Sequence, residues 1–192
     1  MPCGGHDRLK LSVREPTVSP TLDAPKRPKV AADLDHEAYL RKAFDVARRA
    51  REEGQHPFGC ILVDANGAVL MEQGNGYLQE GHDMTAHAER LISTRASKAY
   101  RPSFLKDCTL YVSAEPCAMC AGAIYWAGIG RVVYGQSEHD LKIAAGRDPE
   151  NPTMNLPCRT VFAAGQREVE VIGPLLAEEA AKLQMDFWKN RK

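Results

Sequence analysis

The sequence predicts one layered α/β domain, with a helix and a β-hairpin leading into strands that alternate with helices. Three observations carry that expectation. The chain of 192 residues has the size of a single domain, and with 44% hydrophobic and 26% charged residues it can bury a sizeable core. Its apolar residues switch between helical spacing and short continuous runs of strand length. Residues 1–33 differ: Pro2, Pro16, Pro20, Pro25 and Pro28 stand among few periodic apolar residues, a composition that does not repay its ordering entropy. Residues 1–33 are therefore expected to be a disordered tail, and 34–192 the folded domain.

After Asp35, Leu40, Ala43, Phe44 and Ala47 share one helical face, Arg41, Lys42, Asp45, Arg48 and Arg49 lie largely on the other, and Gly54 supplies a stop. Phe58 to Asp64 is an apolar strand, Asn66-Gly67 a tight-turn signal, and Ala68 to Met71 the returning strand of a hairpin. Glycine-rich sequence over 74–81 reads as loop, and Thr85 to Tyr100 as a helix broken by Pro102. Next come a strand over Cys108–Ser113, a helix over Cys117–Ala127 and a strand over Arg131–Tyr134, an order that predicts parallel pairing through a crossover helix. Residues 146–157 read as a loop with three prolines, Val169–Ile172 as a fifth strand and Leu175–Lys189 as a closing helix.

Charge and composition exclude several classes of function. The 25 lysines and arginines balance 25 aspartates and glutamates, which argues against a whole-surface grip on nucleic acid or anionic membrane. No stretch approaches the roughly 18 apolar residues that would span a bilayer. The N-terminus has no apolar region of a secretory signal, so a cytoplasmic location is expected. The six cysteines are unevenly spaced and two form a Cys-x-x-Cys, a pattern of metal or redox chemistry more than of a disulfide framework.

Two short segments carry that chemistry. His87-Ala88-Glu89 lies near the start of one predicted helix and Pro116-Cys117-Ala118-Met119-Cys120 at the start of the next. Cysteines three apart at a helix N-terminus can face one centre, where the local positive potential favours thiolate, and Pro116 suits the position where a missing N–H costs nothing. With His87 they make three ligands of the kind zinc prefers, leaving a fourth tetrahedral position for water, the arrangement of a catalytic site more than a structural one. Zinc acidifies such a water, and Glu89, two positions from His87, is placed to carry its proton to a leaving amine. Alone, a Cys-x-x-Cys is also a redox pair, and a histidine on a helix is more often structural.

The conjunction of His-x-Glu with Pro-Cys-x-x-Cys resembles the signature of zinc deaminases. Over nearly all of 35–189 the chain is similar to the cytidine-deaminase superfamily, most of all in Asp83-Met84-Thr85-Ala86-His87-Ala88-Glu89 and in the run from Ser113 to Ile124. The resemblance implies a three-layer α/β/α sandwich around a five-stranded mixed sheet. It also implies one zinc per subunit on His87, Cys117 and Cys120, Glu89 as general acid and base, and a homodimer or larger assembly.

Within the superfamily the chain looks most like the branch of guanine deaminases and tRNA adenosine deaminases. His56-Pro57-Phe58-Gly59 and Gly122-Ala123-Ile124-Tyr125-Trp126-Ala127 resemble the guanine deaminases, which makes Phe58 and Trp126 candidate walls for a planar base. Asn75 resembles a base-binding asparagine of that branch. Asp148 is the best match for a substrate-associated carboxylate after the fourth strand, with Glu138 and Asp140 as nearby alternatives. The structural alternatives are ordinary core aromatics, a turn asparagine and a solvated charged loop. The helical ending Asp186-Phe187-Trp188-Lys189 is closer to the tRNA enzymes. The expected substrate is a small amino-substituted nucleobase, a guanine-like purine first, with cytosine, an aminotriazine or adenosine in tRNA as alternatives. An inactive binding module is the non-enzymatic one.

Overall fold

The computed structural model describes residues 34–146 and 153–189. The tail expected over 1–33 and the candidate Asp148 lie outside the described residues.

Helix α1 (His36–Glu52) opens the fold, its first turn capped by the Asp35 side chain, which accepts from the Ala38 N–H. Strand β1 (Gly59–Val63) pairs antiparallel with β2 (Val69–Gly74), and the turn between them uses Gly67 at φ +85°, a left-handed conformation open to glycine. Helix α2 (Ala88–Ala99) ends ahead of Pro102, which begins a further short helix, α3 (Pro102–Leu105), at the position where its ring is harmless. Strand β3 (Thr109–Ala114), helix α4 (Ala118–Ala127) and strand β4 (Arg131–Gln136) form the predicted crossover, and β3 and β4 run parallel. Helices α5 (Glu138–Ala145) and α6 (Cys158–Ala163) follow, then β5 (Glu170–Ile172), parallel to β4, and α7 (Ala177–Lys189).

The five strands form one mixed sheet in the order β2-β1-β3-β4-β5, with β1 antiparallel to both of its neighbours. Alternation along the central strands splits the interior in two. Ile61, Val63, Tyr111 and Val133 face α1 and α7, where they meet Leu40, Ala43, Phe44 and Ala180. Leu62, Leu110, Val112 and Val132 face the opposite way, against Ile92, Ala96, Ala121 and Ile124 of α2 and α4. The molecule is thus the expected α/β/α sandwich, and α2 and α4 lie side by side under one face. No helix among the described residues is long and apolar enough to cross a membrane.

Candidate metal centre and active-site cavity

The two helices under that face begin beside each other. His87 is the N-cap of α2 and Cys117 the N-cap of α4, so neither side chain is drawn into its helix, and Cys120 follows within the first turn of α4. The His87 Nδ1 lies 3.6 Å from the Cys117 Sγ and 3.5 Å from the Cys120 Sγ. The three ligand atoms are within 4.8 Å of one another. With Zn–S near 2.3 Å and Zn–N near 2.0–2.1 Å, a tetrahedral zinc sets its sulfur and nitrogen ligands about 3.6 Å apart, so the donors fit that ion in kind and in spacing. The Glu89 Oε2 is 3.8 Å from the Cys120 Sγ, beside the donor set and outside it.

The electrostatics suit the same purpose. A hydrogen bond with Cys120, followed by that with His87, draws the Cys117 thiol down to about 4 against the effect of burial. The coupling to Cys117, with burial, raises Cys120 in turn. One thiolate therefore stands ready between two helix N-termini. Burial pushes Glu89 up to about 7, where a carboxyl can both take up and release a proton near neutrality.

Above the donors opens a cavity of about 410 Å³. His87, Cys117 and Glu89 line it together with Phe58, Leu141 and Trp188 as apolar walls, and Met84, Met119 and Met154 as exposed side chains. Polar groups are few, chiefly His56, Glu115, Glu138 and Thr153, which is the make-up of a small-molecule site. The Glu138 side chain, in a residue only 4% exposed, is pushed up to about 8 by burial and by the nearby Cys117 thiolate. Its backbone is fixed by Glu115, whose Oε2 accepts from the Glu138 N–H at 3.0 Å while Oε1 accepts from the Cys158 N–H at 2.9 Å.

Comparison with known proteins places this arrangement. Residues 34–136 match the model of the cytidine and deoxycytidylate deaminase zinc-binding region. The chain belongs to that deaminase family. It is 44% identical over 151 residues to a probable cytosine deaminase of Schizosaccharomyces pombe, covering 79% of this chain and 91% of the relative. It is 40% identical over 158 residues to the tRNA-specific adenosine deaminase of Bacillus subtilis, covering 80% and 88%. Among solved structures it resembles the guanine deaminase of Nitrosomonas europaea, with a TM-score of 0.65, 25% identity and coverage of 83% and 86%. The relatives share a reaction type, hydrolytic deamination, and this chain is an enzyme of that type.

In this deaminase, His87, Glu89, Cys117, Cys120 and Phe58 come together as the sequence implies. Trp126 does not join them: it is 84% exposed on the outward face of α4, edge-on to Tyr125. Nine residues along a helix turn it by about half a revolution from Cys117, so proximity to the motif in sequence becomes distance in space. Asn75 is buried, but it lines a separate depression beside Arg49 and Glu72, where its Oδ1 accepts from the Tyr77 N–H as a turn residue does. Cys158 is buried in the α4-side core. The wall that Trp126 was expected to supply is Trp188, from the other end of the chain. The sign of α5 was local: Ser137 caps it by accepting from the Asp140 N–H, and Leu141 and Ala145 share its buried face. Glu115 and Trp188 lie in runs that carry the family resemblance, but nothing local marked either for a place in the cavity wall.

Proposed function

We propose that the protein hydrolyses the amino group of a small free nucleobase, a guanine-like purine first, releasing ammonia with zinc as cofactor. The observation that carries this reading is Glu138, a buried carboxyl inside an apolar-walled cavity that is also lined by Glu89, His87 and Cys117. Burial favours its neutral form, and a neutral carboxyl offers one donor and one acceptor side by side. That pair matches the N–H and C=O edge that guanine and cytosine carry and adenosine lacks. The apolar walls accept the faces of a flat ring, and the cavity has room for two fused rings.

Held on His87, Cys117 and Cys120, zinc would supply an acidified water as nucleophile. Glu89 would take up one proton of the attacking water and deliver it to the ring nitrogen beside the reacting carbon, then take the second from the oxygen newly bound to that carbon and deliver it to the departing amine. Phe58 and Trp188 hold the ring and exclude bulk water from the reacting face. A second reading, cytosine, is favoured by the 44% identity to the probable cytosine deaminase.

Ammonia release by zinc-loaded protein tests the proposal, with guanine, cytosine, cytidine, adenine, an aminotriazine and a tRNA anticodon stem-loop as substrates. Guanine is expected to give the highest kcat/KM. A preference for cytosine would keep the mechanism and move the substrate, and turnover of the stem-loop alone would overturn the free-base reading.

A further inference from the structure

We propose that Gln184 is a specificity-determining positioning residue, whose single buried amide ties the Trp188 indole to the segment that carries His56 and Phe58 and so sets the shape of the cavity wall they form. This rests on the free-base reading above. Gln184 lies on α7 and is 1% exposed. Its Nε2 donates to the Pro57 carbonyl at 2.8 Å, and its Oε1 accepts from the Trp188 Nε1 at 3.0 Å. Pro57 stands between His56 and Phe58, and these two side chains line the same cavity as Trp188. The amide therefore binds the backbone between His56 and Phe58 and the indole that packs on their rings.

The chemistry of the three groups admits few substitutes. A carbonyl only accepts, an indole only donates, and among side chains of this length glutamine alone presents a donor and an acceptor at one tip without first having to bind a proton. A carboxylate in its place would face the Pro57 oxygen with like charge, and methionine would leave both partners without a hydrogen bond. The wall it registers against is already fixed, since the Phe58 carbonyl accepts from the Asn75 N–H at 2.9 Å and the Gly59 N–H donates to the Ser113 hydroxyl at 3.1 Å. Trp188 packs on Ala114, Leu141 and Ala145 and meets the Phe187 ring edge-on at 5.0 Å, and the hydrogen bond fixes where its indole N–H points. With the bond in place the indole lies 6.5 Å from the Phe58 ring and 6.1 Å from His56, centroid to centroid. At these distances the three rings are in contact and form one continuous wall, whose contour decides whether one ring or two fused rings lie flat beside the metal ligands.

The test compares wild type, Gln184→Met and Gln184→Glu, zinc-loaded and matched for folded fraction, on guanine and cytosine. In Gln184→Met the ratio of the two kcat/KM values is expected to move by about ten-fold, the scale of one misfit group in a pocket, through KM and with kcat within about two-fold. Gln184→Glu, which retains the acceptor for Trp188, is expected to move it less. A residue that only held the fold together would lower the folded fraction and leave KM and the ratio alone, and that result overturns the proposal. Trp188→Phe removes the indole donor while leaving an apolar wall, so it gives the same reading independently of how Gln184→Met folds. Should wild type turn over neither base, the free-base reading fails, and the indole N–H resonances then judge Gln184. Only two tryptophans are present, and Trp126 is exposed, so a Trp188 indole proton as protected from exchange in Gln184→Met as in wild type would overturn the proposal.

Discussion

At the scale of single residues, the proposed mechanism divides the labour between groups that would hold the metal and one that would move protons. Glu89→Ala is expected to lower turnover by at least about 10²-fold, within the usual worth of a general acid–base group, with zinc content unchanged. Cys117→Ala is expected to lose the zinc itself, as metal analysis after dialysis would show. Glu138 carries a different signature. Its folded-state value, about 8, lies above the 4.5 of an ordinary glutamate, so the stability it contributes is complete below that lower value and is lost as pH rises toward 8. Glu89 titrates over much of the same window, so the difference between two melting curves isolates Glu138. From pH 5 to pH 8 the Tm of wild type should fall relative to that of Glu138→Gln; a constant difference would mean that Glu138 is not held neutral.

At the scale of elements, the decisive contact is one carboxylate that serves two helices. Glu115 accepts from the first N–H of α5 and the first N–H of α6, and both groups would otherwise be orphaned inside the protein. Glu115→Gln turns one acceptor into a donor that faces an N–H, and the expected loss is about 1–3 kcal/mol, read by denaturant unfolding. This contact also shows what the sequence could tell. The helix cap at Asp35, the Asn66-Gly67 turn and the His87, Cys117, Cys120 set are legible because each is specified by residues a few positions apart. Helix α5 was missed because its first turn is polar and reads as loop. The cavity wall was misassigned because closeness in sequence does not fix which face of a helix a residue occupies. Trp126 adjoins the motif and points to solvent, while Trp188 reaches the cavity only through the packing of α7.

At the scale of the whole molecule, two interior clusters divided by one sheet give the site a graded support. Strands β1 and β3 are buried along their whole length and pair with each other, so they belong to the part that opens only with global unfolding. The segment Glu115–Cys120 continues directly from β3, so two of the three ligands hang from that most resistant part. Apart from His56 and Phe58 beside β1, much of the cavity wall comes from the margins: α5, the strip at Thr153 and Met154, and α7. Local, sub-global opening should therefore strip the enzyme of its substrate walls while the metal donors stay in register. On titration with mild denaturant, activity should disappear at a lower concentration than zinc does, leaving over that interval a folded protein that retains its metal and has lost its catalysis.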